Sequence, residues 1–235
     1  MSMGTEWTVI SLGGSIIVPD EIDTTFLIGF AELIRRHVAE GKKFIIIAGG
    51  GKTVRRYQAA ARDVTSHTPG CVVSSEDLDW LGIHGTRLNG HLIRTIFCDI
   101  AHPALVKDPT LPLPDAMLIV AAGWKPGWST DYDAVLLAKN AGAKKLVNLS
   151  NIEYVYTADP KKDPSATKIE KINWPEFRKL LPEKWDPGLS VPFDPVAAKE
   201  AEGASLEVAV IRGTSLPDLD NYLSDKPFKG TLISD

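Results

Sequence analysis

Three glycine-rich stretches stand where strand-like runs end: LGGS (Leu12–Ser15), GGGK (Gly49–Lys52) and AAGWKPG (Ala121–Gly127). Glycine in such a turn lets backbone N–H groups approach phosphate oxygens, and a helix that starts there adds the positive end of its dipole. Tight strand–helix turns also use glycine for geometry alone. Three such turns in one chain, two of them leading into helices, fit a site for several phosphates. The second carries more chemistry: in GGGKTVRR, Lys52, Arg55 and Arg56 fall within the first two turns of a helix. Arg55 lies about one turn past the glycines, within reach of a phosphate as a two-pronged donor. A solvated basic face would read the same way. The third turn holds Trp124 and Trp128, and large aromatic residues exceed what closing a turn requires. Base contact and packing both remain open for them.

Composition bounds the rest. The 235 residues are 44% hydrophobic and 24% charged, with a net charge of −4, which argues against a general nucleic-acid binder. The two cysteines, Cys71 and Cys98, form no disulfide framework or metal-ligand pair, so a reducing, cytoplasmic setting is expected. No secretory leader and no membrane partner are expected, since no apolar run approaches the roughly 20 residues a span needs. The sequence lacks G-x-x-x-x-G-K-[ST], G-x-G-x-x-G and G-x-S-x-G, and its five histidines show no zinc spacing.

The elements that must carry the glycine turns alternate in type. Strands are predicted over Thr8–Gly14, Phe44–Ala48, Leu118–Gly123, Lys145–Ser150, Leu206–Gly213 and Gly230–Ser234. Helices are predicted over Asp23–Glu40, Lys52–Val64, Leu78–Phe97, Asp131–Ala141, Trp174–Leu181, Val196–Glu202 and Asp218–Leu223. FIIIA reads as a strand buried on both faces. Tyr154–Ile172 is polar and reads as a hairpin or extended excursion, and Trp185–Pro195 as a loop. This order predicts an α/β fold with a mainly parallel sheet and helices on both faces. The excursion suggests two lobes with a cleft between them.

LGGS after the first strand, GGGKxxR after the second, PGxxTD before a helix and YTADP after a later strand occur in this order in the amino acid kinase superfamily. The chain most resembles its archaeal-type uridylate (UMP) kinases. DWLGIHGTRLNG is similar to that group's ribose-side helix, DPVAAK to its late helix start and GTLIS to its closing strand, so the resemblance spans Thr8–Ser234. It implies a three-layer sandwich with a central, mostly parallel sheet, a single domain over 1–235. About 1–140 would take UMP and about 141–235 ATP. It further implies ATP + UMP → ADP + UDP with Mg2+ in pyrimidine nucleotide synthesis, by a cytoplasmic homohexamer built from dimers.

By position, the resemblance implies that Gly13, Gly14 and Ser15 meet the transferring phosphate and that Gly50 faces the UMP phosphate. Gly51 and Arg55 would contact nucleotide phosphates, and Asp79 the acceptor ribose. Gly123, Trp124, Lys125, Pro126, Gly127, Trp128, Ser129 and Thr130 would wrap the acceptor, with the acidic Asp131 beside the active centre. Ser11, Ser150, Asn151, Tyr156 and Asp159 would line the ATP side. No metal ligand is assigned. Because the UMP phosphate is itself the nucleophile, no general base is needed, and N–H groups at Gly13, Gly14 and Gly50 with Arg55 and Mg2+ would form an electropositive cradle.

The chain departs from the pattern in three places. Ser11 stands where most of the superfamily has a lysine, which removes a positive charge that Lys52, Arg55, Lys125 or Lys161 could replace. AGWKPGWSTD stands for GGTHPGHTTD, and Glu153–Tyr154 for Asp-Gly. Asp79 and Asp131 also read as first-turn helix carboxylates, Asp159 as a turn residue, and Tyr156 as a packed aromatic. A sister kinase acting on another small phosphate or carboxylate, and a non-catalytic anion binder on this fold, are the alternatives.

Overall fold

Two neighbouring runs, WTVISL and KFIIIA, are buried almost throughout because helices cover both of their faces. The computed structural model describes residues 6–182 and 191–235. The first half runs β1 (Trp7–Leu12), α1 (Gly14–Ile17), α2 (Thr24–Ala39), β2 (Lys43–Ala48), α3 (Gly51–Ser66), α4 (Ser75–Ile96), β3 (Leu118–Ala121) and α5 (Thr130–Ala141). It continues with β4 (Lys145–Ser150), β5 (Val155–Tyr156), β6 (Lys168–Ile169), β7 (Lys171–Asn173), α6 (Trp174–Lys179), α7 (Pro195–Gly203), β8 (Glu207–Arg212), α8 (Leu216–Leu223) and β9 (Thr231–Ser234).

Seven strands form one sheet in the order β3-β2-β1-β4-β8-β9-β7, with β8 and β9 the antiparallel pair. Side-chain alternation divides the core in two. Ile10, Ile46, Val120 and Val147 face α2, α4 and α8, whereas Val9, Ile45, Ile119 and Leu146 face α5, α6 and α7. The three-layer α/β sandwich is therefore as expected. Among the described residues the seven-stranded sheet takes strands from both the N-terminal and the C-terminal half of the chain, and each apolar layer runs along it. Of the Tyr154–Ile172 excursion, only β5 and β6 form a separate antiparallel hairpin, while Lys171–Asn173 joins the main sheet beside β9. The loop read over Trp185–Pro195 lies, up to Ser190, outside the described residues.

Helix starts follow local chemistry. Asp23 caps α2 by accepting from Phe26 N–H at 2.9 Å, and Ser74 and Asp77 form a capping box on α4. Ser129, expected among the acceptor-wrapping residues, accepts from Tyr132 N–H at 3.1 Å and so caps α5. Asp194 caps α7 with two bonds, from Val196 N–H and Ala197 N–H.

The glycine turns after β1 and β2 touch backbone to backbone. A Cβ on Gly14 would stand 2.0 Å from the Gly51 nitrogen, and one on Gly49 2.5 Å from the Gly14 nitrogen. Gly51 combines a φ of +67° with a position where a Cβ would meet the Gly14 carbonyl. Gly14→Ala is therefore expected to destabilise the fold by roughly 1–3 kcal/mol through overpacking. The measurement is the urea midpoint at unchanged m-value; an unshifted midpoint refutes the interlock.

Candidate functional site

Ser11 and Asn148 are polar residues in otherwise apolar strands, and the β1–β4 register sets them side by side. Their strands are adjacent in the sheet but far apart in sequence, with the chain leaving β1 toward β2 and β3 before returning at β4. That reversal is where open α/β sheets gather ligands, beyond the carboxyl ends of the strands. A cleft opens there. It is lined by Ser11, Gly13, Gly14, Ser15, Gly50, Gly51, Arg55, Thr130, Asp131, Ser150 and Asn151 of the expected residues, and also by Gly49, Asn148, Leu149, Val191 and Pro192.

The amides of the two glycine turns differ in availability. Gly13 N–H donates to Leu149 O at 3.0 Å and Gly49 N–H to Leu12 O at 2.9 Å, so Gly13 is removed from the expected cradle of donors. Gly50 is the N-cap of the sixteen-residue α3 and offers no side-chain acceptor. The first-turn amides of α3 are thus left for a ligand or water, beside the positive end of the helix. Among the cations proposed to offset Ser11, Lys52 lies 3.4 Å from Asp20, which also binds Arg56 at 2.5 Å. The Lys125 ammonium sits 3.8 Å above the Trp124 ring. Arg55 is the cation among the described residues that lines the cleft.

Asp131 faces the cleft from the first turn of α5 and accepts from Ser11 Oγ at 3.2 Å. Burial, with the Asp194 carboxylate nearby, raises its carboxyl to about 6. Ser11 supplies a hydrogen bond where a lysine would supply charge.

The loop after β3 is a separate wall. Trp128 stacks on Tyr132 in the first turn of α5 at 4.2 Å, and Trp124 lies 6.5 Å from Trp128 with its plane nearly parallel. One face of Trp128 is therefore taken by packing within the chain. Asp79 accepts Gly127 N–H at 2.8 Å and so braces this loop from α4. Sequence reasoning missed three further braces: Thr86, Arg87 and Asp133 all bond the backbone of Gly123 or Trp124. It missed Asn89 as well, which donates to Gly49 O at 2.8 Å and Gly50 O at 3.2 Å and so shapes the second glycine turn. A polar residue in a buried strand was the available signal for Asn148; Arg87 and Asn89 had none, since their partners are remote in sequence.

Tyr156 and Asp159 stand apart from the glycine cleft. Tyr156 belongs to the β5–β6 hairpin, and Asp159 accepts Lys161 N–H at 3.0 Å within its own exposed turn. No group of three or more His, Cys, Asp or Glu that could hold a metal occurs among the described residues. No helix of the described residues is long and apolar enough to cross a membrane.

The Asp131 carboxyl binds its proton more tightly folded than unfolded, so its ionisation destabilises the native state. That penalty is absent below about pH 4, develops through about pH 6 and reaches at most about 3 kcal/mol above it. Asp131→Asn should therefore raise the Tm at pH 8 and lose this advantage toward pH 4. A pH-independent difference in Tm between the two proteins would count against the assignment.

Known proteins resemble this chain over nearly its whole length. The family model described as "Amino acid kinase family" matches residues 6–212. The chain is similar to the "Uridylate kinase" of Methanospirillum hungatei JF-1, 33% identical over 96% of this chain and 94% of that protein. It is likewise similar to the "Uridylate kinase" of Hyperthermus butylicus, 31% identical over 96% of this chain and 97% of that protein. Among solved structures, the uridylate kinase from Archaeoglobus fulgidus superposes with a TM-score of 0.80 at 30% identity, over 97% of this chain and 99% of that one. With the family model matching from the first strand through β8, this chain belongs to the amino acid kinase family.

Proposed function

We propose that the chain is a UMP kinase that transfers the ATP γ-phosphoryl group to UMP, giving UDP for pyrimidine nucleotide synthesis. The observation that carries this is the cleft at the β1/β4 reversal, where two glycine turns, the start of α3 and Arg55 converge on a space lined by polar groups. Full-length similarity to archaeal uridylate kinases supports the choice of acceptor.

Phosphoryl transfer asks the protein for position and charge neutralisation rather than covalent chemistry. The acceptor phosphate is already an anion, so no side chain has to remove a proton. Gly50 faces the UMP phosphate, Gly51 and Arg55 hold the nucleotide phosphates that meet there, and Gly14 and Ser15 border the path of the transferred group. Asp79 and the 123–130 loop hold the UMP nucleoside within about 1–140. Ser11, Ser150, Asn151, Tyr156 and Asp159 serve ATP within about 141–235. Among the described residues no carboxylate cluster lines the cleft, so Mg2+, when bound, would be held through the nucleotides and would supply charge neutralisation beside Arg55. Arg55 stands in part for the charge absent at Ser11. The enzyme works in the cytoplasm as a homohexamer built from dimers. Support for assembly is α3, which buries no residue fully and leaves Tyr57 and Val64 65% and 66% exposed.

Purified protein with ATP and Mg2+ should release ADP on addition of UMP, in preference to CMP, dUMP, AMP, isopentenyl phosphate or acetylglutamate. Absence of UMP-dependent ADP sinks the proposal. Arg55→Ala should lower kcat/KM for UMP on the order of 100-fold, the loss of one charge-assisted phosphate clamp, at an unchanged unfolding midpoint. Light scattering should give a mass near six times 25.6 kDa; a monomer would remove the assembly.

A further inference from the structure

The backbone of the 123–127 loop is held from two sides by groups outside the glycine cleft. From α4, Thr86 Oγ1 accepts Gly123 N–H at 2.8 Å, and Arg87 donates to Gly123 O at 3.3 Å and Trp124 O at 2.9 Å. From α5, Asp133 Oδ2 accepts Trp124 N–H at 3.0 Å.

Asp133 is out of keeping with its surroundings. It is fully buried beside Ala134 and Val135, and its Oδ1 has no hydrogen-bond partner among the described residues. Burying a carboxylate with one oxygen unsatisfied is costly, and an apolar residue would pack there without that penalty. Such a conflict between local chemistry and fold is expected where a residue serves function. The charged groups that bear on it are Asp108 from the segment before β3, Asp194 from the cap of α7 and Lys125 from the loop itself. Burial first, then the two acids, push its carboxyl up to about 7, against the pull of Trp124 N–H and Lys125.

We propose that Asp133 is a positioning residue for the acceptor loop, gripping the Trp124 amide tightly when ionised and loosely when protonated, so that acceptor affinity follows its charge. The proposal rests on the reading of this loop as the UMP side. An ionised acceptor makes a bond roughly twice as strong as a neutral one. Protonation also removes the attraction to Lys125, whose ammonium covers Trp124, so both contacts slacken at the same two residues.

The test labels the tryptophans with 15N and assigns the Trp124 amide through Trp124→Phe. Its shift should titrate near pH 7 in the unmodified chain and stay flat in Asp133→Asn. Over roughly pH 6 to 8.5, the KM for UMP of the unmodified enzyme should rise about fivefold toward acid relative to Asp133→Asn, the effect of weakening one such bond. UMP's own phosphate ionisation is common to both proteins and cancels, and the KM for ATP should not diverge. A Trp124 amide that does not titrate in the unmodified chain overturns the proposal without any variant. So does a titration, or a UMP profile, that is the same in both proteins. If no UMP-dependent ADP forms at all, the kinase assignment fails, and the amide titration alone then decides the role of Asp133.

Discussion

Backbone atoms of the β1–α1 turn and the β2–α3 turn meet at distances that leave no room for a side chain. Gly14, Gly49 and Gly51 are each excluded from carrying a Cβ by the other turn. This contact brings the two glycine turns together at one end of the sheet, where they line the cleft. With Gly13 bonded to Leu149 and Gly49 to Leu12, the turns after β1 and β2 are also anchored to the strands beside them. The start of α3, and with it Arg55, is placed by the same junction. A cleft suited to several negative charges follows from close packing of main chain, with few side chains involved.

Around that rigid junction the chain arranges its charge sparingly. Asp131, paired with Ser11 instead of a cation, and Asp133, buried behind the next turn, both have carboxyls raised toward neutrality by loss of water. Lys52 and Arg56 are drawn to Asp20, and Lys125 lies on tryptophan. The positive potential of the cleft therefore rests on Arg55 and on helix N–H groups more than on a field of lysines. In a low-dielectric site, such fixed donors act with little reorganisation.

The tryptophans of the third turn show how a local pattern can be right in kind and open in detail. Their sequence marks the turn as more than a connector. Their contacts are intramolecular: Trp128 on Tyr132, and Lys125 over Trp124. These stack the loop against the start of α5. Asp79 similarly holds the loop backbone at Gly127, a contact compatible with a carboxylate that has one more oxygen to offer.

Much of the fold was legible in the sequence by itself. Apolar runs ending in glycine marked β1 and β2, helical spacing marked α2 and α4, and the order of motifs identified the family and the cleft-lining glycines, Arg55 and Asp131. These features are local, set by periodicity, by the φ freedom of glycine and by capping chemistry within a few residues. Only the tertiary structure decided the contacts between residues far apart in the chain. It set Ser11 beside Asn148, and Arg87, Asn89 and Asp133 against loop backbone 9 to 40 positions away. It also joined β7 to β9 in one sheet and withdrew Gly13 N–H from the cleft. A hydrogen bond to main chain leaves no mark on its partner's identity, since every non-proline residue offers the same N–H and C=O; only the folded geometry specifies which one is used.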